Sequence, residues 1–537
     1  MTEQAPFPQQ ASMTDAAPPA VQTPWRRLDK RMLVVSPLGS AVRLLPVAVI
    51  LLFTGQGDVT TRLWIPLVFA VLVVIAGVAR WRTTRYRITA ERVELHSGWL
   101  RKQRRSVPRD RIRSVDLTAR LLHRAFGLSV VQVSAGSGAV LEQSGLSLDA
   151  VSKAEAERLR RELLDHRSPV APDPAQQTPQ APPAEELAGL QWSWLRFAPL
   201  TFSSLAGVGA VGAAVFNLVD DLGVDPRDIG VIEDATDRLA TAPIWLGVAV
   251  VGVGLLVTAV VGALILFAER WYDYRLTREP SRDGALPAAG TPVVGTGTLR
   301  VKRGLLTRRS LSVAEQRLRG TEIVEPLLLR AGRGAQCRAL STGLARDGQG
   351  GALQPPAPRA EAHRVASAVL REHPAQITGA PLRAHPRAAL VRRMSRALVP
   401  VVVLVAGAFL LGWAVPAVAW LGPASLVLLP LAALLGLDRY RNLGHELTAR
   451  YLVARQGSLQ RQTVALQRAG VIGWTFRQSI FQRRSGLVAV EAITAAGAGG
   501  YTVLDVAAPD GVALADAATP HLLTPFLARP NAEHRAG

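Results

Sequence analysis

The chain has 537 residues, 49% of them hydrophobic, with a mean hydropathy of +0.19 and a formal net charge of +21 at pH 7. Such hydrophobicity is high for a soluble protein of this length and points to membrane-spanning segments. The single cysteine, Cys337, excludes an intramolecular disulfide and any multi-cysteine metal site, while the excess of arginine over the four lysines (Lys30, Lys102, Lys153 and Lys302) is compatible with nucleic acid, anionic lipid or cytoplasmic loops.

Residues 1–24, rich in Pro, Gln and Ala, read as a disordered cytoplasmic tail without the basic start and apolar run of a secretory signal. Residues 25–84 then predict a first transmembrane hairpin. Its runs are Val34 to Thr54, which spans if Arg43 snorkels to the interface, and Leu63 to Ala79, with a polar turn at Asp58 between them. Arg80, Trp81, Arg82 and Arg85 close it as a basic and aromatic fringe.

From 85 to 167 the pattern changes to short apolar runs separated by turns, as in successive strands. Tyr86 and Ile88, then Val93 and Leu95, alternate; Ser97-Gly98 supplies a turn. Ser152 and Glu155 form a candidate capping box for a helix whose Ala156, Leu159 and Leu163 share a face.

Residues 168–189 read as a Pro- and Ala-rich linker, and 190–270 as a second hairpin made of Leu195 to Val219 and Pro243 to Ala268. The loop between these runs holds Asp220, Asp221, Asp225, Asp228, Glu233, Asp234 and Asp237, which assigns it to the outer side. A second strand unit, 271–375, ends in a helix from Glu361 to Glu372 with Ala362, Val365, Ala366 and Val369 inward. The third hairpin, 376–441, joins Ala397–Trp413 to Val418–Leu437 around Pro416. The third strand unit, 442–528, closes with a helix from Asp510 to Leu523 that Pro520 disturbs. Arginine at the outer ends of all three pairs predicts cytoplasmic N- and C-termini and strand units in a multi-pass cell-membrane protein.

The three strand units repeat one pattern. The first copy runs Tyr86-Arg87-Ile88-Thr89, Gly98-Trp99-Leu100, Val107-Pro108-Arg109-Asp110-Arg111-Ile112 and Leu121-Leu122-His123-Arg124-Ala125-Phe126-Gly127-Leu128. The second runs Tyr274-Arg275-Leu276-Thr277, Gly304-Leu305-Leu306, Val313-Ala314-Glu315-Gln316-Arg317-Leu318 and Leu327-Leu328-Leu329-Arg330. The third runs Glu446-Leu447-Thr448, Gly457-Ser458-Leu459, Val464-Ala465-Leu466-Gln467-Arg468-Ala469 and Ile480-Phe481-Gln482-Arg483-Arg484-Ser485-Gly486-Leu487. Each unit resembles the bacterial pleckstrin-homology (PH) family found on YdbS- and YdbT-type membrane proteins; the first copy is nearest to it, and the second, lacking the Phe-Gly-Leu ending, departs most. The resemblance implies a strand sandwich or partly open barrel with a C-terminal helix, repeated three times. The expected fold is therefore six transmembrane helices in three pairs, each pair followed by a PH-like β-sandwich or barrel. The resemblance implies no enzyme activity and no cofactor.

The basic strip Arg101, Lys102, Arg104, Arg105, Arg109, Arg111 and Arg113 is the candidate contact site. It reads as the solvated face of edge strands, as a surface for anionic lipid headgroups of the bilayer, or as a protein-docking edge along Val107 to Val115. No nucleic-acid motif accompanies it, so nucleic acid is not an expected partner. Asp110 reads as a local charge partner or turn former, and lone His123 as structural. There is no HExxH, Gly-x-Ser-x-Gly or Walker motif, which argues against an enzyme. Apart from Arg43 and Arg196 the predicted spans hold no charge, which argues against transport. Small residues from Gly207 to Gly212 and at Gly252 and Gly254 leave room for a membrane-protein partner or a homo-oligomer.

Overall fold

The computed structural model describes residues 24–35, 37–39, 59–89, 91–98, 102–135, 146–164, 184–201, 243–280, 297–342, 351–520 and 522–527. The predicted tail 1–23, the turn at Asp58, the acidic loop with Asp228, and Arg43, Trp99, Leu100 and Arg101 lie outside these residues.

Three modules appear, each built from two antiparallel sheets and a closing helix. In the first module, β1 (Arg26–Arg27), β2 (Arg85–Ile88), β3 (Arg92–Ser97) and β4 (Gln103–Pro108) form one sheet in that order. After a 3₁₀ turn, Arg109–Arg111, come β5 (Ile112–Ala119), a short helix α2 (Leu121–Ala125), β6 (Leu128–Ala135), β7 (Leu146–Ser152) and helix α3 (Lys153–Leu164); α1 is the long helix Val59–Thr83. Val93, Val107, Val115, Leu128, Val131 and Leu148 meet between the two sheets, and Ala156, Leu159 and Leu163 of α3 close the core. Ser152 Oγ accepts from the Glu155 N–H at 3.3 Å, but the Glu155 carboxylate takes Arg26 instead of returning to the cap, so only half of the expected capping box forms.

The second module repeats this with β8 (Glu185–Gly189), β9 (Arg275–Glu279), β10 (Thr298–Arg303) and β11 (Arg308–Ala314), then β12 (Leu318–Pro326), α5 (Leu327–Ala331), β13 (Gly334–Ser341), β14 (Ala357–Pro358) and α6 (Arg359–Leu370). Its long helix, α4, is Ile244–Trp271. The inward face of α6 is the expected one: Ala362, Val365, Ala366 and Val369 are buried. The third has α7 (Arg387–Ala414), α8 (Leu421–Ser425) and α9 (Leu428–Arg441), followed by β15 (Gly444–Leu447), β16 (Tyr451–Gln456), β17 (Gln460–Gln467), β18 (Val471–Arg477), α10 (Ile480–Arg484), β19 (Leu487–Thr494), β20 (Gly500–Ala507) and α11 (Ala508–Ala518). Helix α11 stops before Pro520, which cannot continue a helix.

Three boundaries differ from the expectation. Residues 25–35 do not open the first hairpin: Arg27 pairs with Arg85, and Leu28, Met32 and Val35 enter the first core. Glu185–Gly189, expected as linker, is an edge strand on β9, since its Leu187 and Ala188 find a core to cover. The second hairpin does not begin at Leu195, because Trp192–Leu200 is a 3₁₀ segment whose Trp194, Phe197 and Ala198 are buried in the second module. The repeat motif is also out of step in the second copy. Leu276 lies opposite Val301 as Tyr86 lies opposite Leu95, so Tyr274-Arg275-Leu276-Thr277 is offset by two residues, which keeps every side chain on its expected face.

Among the described residues three helical segments are long and apolar enough to cross a membrane: Gly252–Trp271, Arg387–Ala414 and Pro416–Arg441. The last two pack as a pair, Gly436 admitting Met394 and Ala397 at distances that a side chain would block. No other described residue lies within 4 Å of a Cβ placed on Gly252 or Gly254. Helix α1 covers the predicted run Leu63 to Ala79. The six-span arrangement itself extends beyond the described residues. Each helix is tied to its module by the expected basic and aromatic fringe. Trp81 Nε1 donates to the Leu28 carbonyl at 3.0 Å, Arg303 stacks over Trp271 at 4.3 Å, and Tyr440 Oη donates to the His385 carbonyl at 2.9 Å.

Candidate functional site

The modules do not stand apart. The second sheet of the first module and the first sheet of the second are one seven-stranded sheet, joined where β5 pairs with β11. The second and third modules are joined likewise, in a six-stranded sheet, where β12 pairs with β17. The two joints have the same register. Counted from the 3₁₀ turns, Ser114 and Gly320 are equivalent, as are Val313 and Leu466; Val313 lies opposite Ser114, and Leu466 opposite Gly320. Gly320 is needed there, because a Cβ on it would stand 2.0 Å from the Ala465 carbonyl oxygen.

Buried and partly buried ion pairs lock each joint. At the first, Arg160 of α3 reaches Glu279 of β9 at 2.8 Å, and Arg300 of β10 bonds both Glu279 and Glu157. Burial alone would raise the Glu157 and Glu279 pKa values, but Arg300 and Arg160 outweigh it and hold both below the usual carboxylate range. At the second joint Arg461 grips Glu325 through two hydrogen bonds of 2.6 Å, and Arg450 reaches Glu372 at 2.6 Å. Their partners are far apart in sequence, so no local spacing exposes them. The one available signal is the run Ile323-Val324, adjacent apolar residues in a strand buried on both faces.

The basic strip is divided by this architecture. Lys102 and Arg104 are exposed and Arg105 half-buried on or beside β4, which pairs with β3 and with no other strand among the described residues. Arg109, whose guanidinium donates to the Glu162 carbonyl, and exposed Arg111 lie in the 3₁₀ turn at the far end of β4. Arg113 belongs to β5, in the other sheet. Asp110 is a turn residue whose carbonyl accepts from Arg317 at 3.0 Å across the first joint. The strip therefore divides between the two ends of β4, Arg104 and Arg109 lying about 16 Å apart along it, with Arg113 in the other sheet. In the second module the turn corresponding to Gly98 rests on the end of α4: Gly304 N–H donates to the Tyr272 carbonyl at 2.8 Å and Leu305 N–H to that of Glu269 at 2.9 Å. By the repeat, Lys102 and Arg104 occupy the membrane-helix end of β4, and Arg109 and Arg111 the opposite end.

A small, open cleft lies at the second joint, lined by Arg319, Arg371, Arg450, Tyr451 and Gln467. Glu315 in its wall is held by Arg278 at 2.5 Å and Arg371 at 3.2 Å. Burial pushes the Tyr451 hydroxyl up to about 12, so it stays protonated. His123 sits in α2 with its pKa lowered by burial. In the first core Leu128 is buried and Phe126 packs at its edge. Among the described residues no cluster of three His, Cys, Asp or Glu could hold a metal ion, and Cys337 is buried, its thiol pushed up by desolvation.

Fold and site together define a membrane protein carrying PH-like modules fused edge to edge. Residues 40–167 and 398–520 match the bacterial PH domain family. The transmembrane protein YdbT of Bacillus subtilis (strain 168), assigned to the group UPF0699, is 21% identical over 434 residues, covering 79% of this chain and 82% of that protein. No solved structure matches the chain. Two regions of the chain thus match the bacterial PH-domain family, and the chain as a whole is similar to YdbT. The middle module, which lies outside the two matched regions, has the same element order as its neighbours.

Proposed function

We propose that the chain is a non-enzymatic scaffold at the cell membrane, its three modules forming one cytoplasmic platform for protein partners. The observation that carries this reading is the pair of shared sheets, which make a single surface of three modules while the long helices attach it to the bilayer. In this reading six spans form three hairpins, with both termini and all modules on the cytoplasmic side. Arginine at the helix ends, as at Arg80, Arg270 and Arg439, supports that orientation. Anionic-lipid contact is a second reading, supported by exposed Lys102 and Arg104 at the membrane-helix end of β4. Crosslinking in native membrane followed by purification of the full chain tests the scaffold: a protein recovered in constant proportion is expected. Solute flux or substrate turnover by the purified chain in proteoliposomes would overturn it.

A further inference from the structure

The joint between modules is made twice inside the chain, each time by the strand after the 3₁₀ turn that joins the two sheets of one module and the strand before the corresponding turn of the next module. Half of the same joint is left at each end. β4 is the counterpart of β11 and β17; β18 is the counterpart of β5 and β12. Among the described strands β4 pairs only with β3, and β18 only with β19. We propose that β18 of one copy pairs antiparallel with β4 of a second copy, in the register of the two internal joints, so that the protein assembles head to tail.

Burial at equivalent positions supports this. Leu117 and Ile323, inside the two joints, are 7% and 0% exposed, whereas their counterpart Phe476 on β18 is 39% exposed. On the other strand Ser312 and Ala465 are 0% exposed, and their counterpart Ser106 is exposed. Gly473 holds the place of Gly320, where the joining strand forbids a side chain, yet no described residue lies within 4 Å of a Cβ on Gly473. An exposed edge bearing Ile472 and Phe476 is a surface that soluble sheet proteins ordinarily cover or charge.

The register follows from the internal joints. Ser310 lies opposite Leu117 and Thr463 opposite Ile323, so Arg104 of one copy falls opposite Phe476 of the next, a guanidinium against an aromatic ring. Gln103 then falls opposite Arg477, whose charge Glu491 already holds at 3.0 Å. Backbone direction agrees. Arg109 N–H donates to Glu91, so by strand alternation the N–H and carbonyl of Ser106 point away from β3, as the Ala465 carbonyl points toward β12. A contact of this kind uses different surfaces on the two copies; it closes into a ring where the rotation per copy allows and otherwise extends as a row.

The inference goes beyond the scaffold reading, since it stands on the joints alone and names a second copy as the occupant. The test uses the full chain in native membrane and in nanodiscs. Gln103→Cys on one copy and Arg477→Cys on another are expected to form a disulfide; the two single variants mixed give a covalent dimer and nothing larger, and the double variant gives higher species. Buried Cys337 is the background control. Phe476→Arg, which sets like charges face to face, is expected to lower crosslinking about tenfold, and Arg104→Glu on the mating copy to restore it. Ser106→Pro, which removes an outward N–H and spares the pairing with β3, blocks the other half. Absence of the crosslink, a crosslink of Gln103→Cys to itself, or recovery of a different protein at Arg477→Cys would each overturn the proposal. So would unchanged association in both blocking variants at unchanged melting temperature.

Discussion

Glu325 lies inside the second joint with 1% of its surface exposed, held by Arg461 and, at 3.3 Å, by Arg359. Two charges are kept there at a desolvation cost that their hydrogen bonds offset, so losing one partner is worse than losing both. Arg461→Ala is expected to destabilise the detergent-solubilised chain by about 3–5 kcal/mol, and the pair Arg461→Leu with Glu325→Leu by much less. Equal losses in thermal unfolding would refute this. At the third module His385 and His445 stand 3.2 Å apart, Nε2 to Nδ1. His385 Nδ1 faces the Asp505 carbonyl at 3.1 Å; donating there, it leaves Nε2 to accept from His445. Both rings are neutral in this arrangement. Burial, then the neighbouring His385, lowers the His445 pKa to about 4, and burial lowers that of His385. The unfolded chain, with histidines near 6.5, therefore takes up protons first as pH falls. Stability is full above about 6.5 and is lost progressively down to about 4. His363, also lowered to about 4 by burial, adds to the same window. Melting temperature against pH should show this decline, with a shallower slope in His445→Gln; a slope independent of that ring would exclude it.

Among the elements, β4 carries both candidate surfaces, since its side chains offer the basic group and its backbone offers the open edge. Replacing Arg101, Lys102, Arg104 and Arg105 by Gln is expected to leave the first module folded, because the core residue of this strand is Val107. Membrane attraction is about 1 kcal/mol per basic group near an anionic surface, and less for those that strand alternation turns away. Tethering of the full chain hides that contact, so the measurement is of the ordering of β4 against anionic nanodiscs, by spin label, as salt is raised. The parent should lose contact with rising salt, and the variant should have little to lose. Equal behaviour of the two would leave the strip as a solvated strand edge. Helices α3 and α6 show how local pattern and tertiary demand coincide: their apolar spacing names Ala156, Leu159 and Leu163, then Ala362, Val365, Ala366 and Val369, and all are buried. Arg160, on the same face of α3, is buried as well, because the second module brings Glu279 to it.

At the scale of the whole molecule, the shared sheets change what counts as a unit. A fragment limited to 86–167 would lack β1 and would uncover the edge of β5 that β11 occupies. The proposed orientation is tested in intact cells by single-cysteine labelling on a Cys337→Ser background. Asp58→Cys, Asp228→Cys and Pro416→Cys should react from outside, and Arg109→Cys, Gln316→Cys and Gln467→Cys only after permeabilisation. Labelling of Asp228→Cys only in permeabilised cells would overturn the hairpin arrangement.

The sequence by itself determined the long apolar runs, the threefold repeat and the inward faces of the closing helices, because these depend on residue type at short, regular spacing. It did not separate Trp194 and Phe197 from a membrane run, since an aromatic residue bound for a protein core has the same hydropathy as one bound for lipid. Nor did it show which sheet a strand would join. That Arg104 and Arg113 lie in different sheets, that Arg461 meets Glu325 across 136 residues, and that β4 and β18 are left as matching edges among the described strands are consequences of long-range strand pairing. Backbone hydrogen bonds of an edge are nearly the same for every sequence, so the choice of neighbour was decided by module packing and by ion pairs that exist only once the chain has folded.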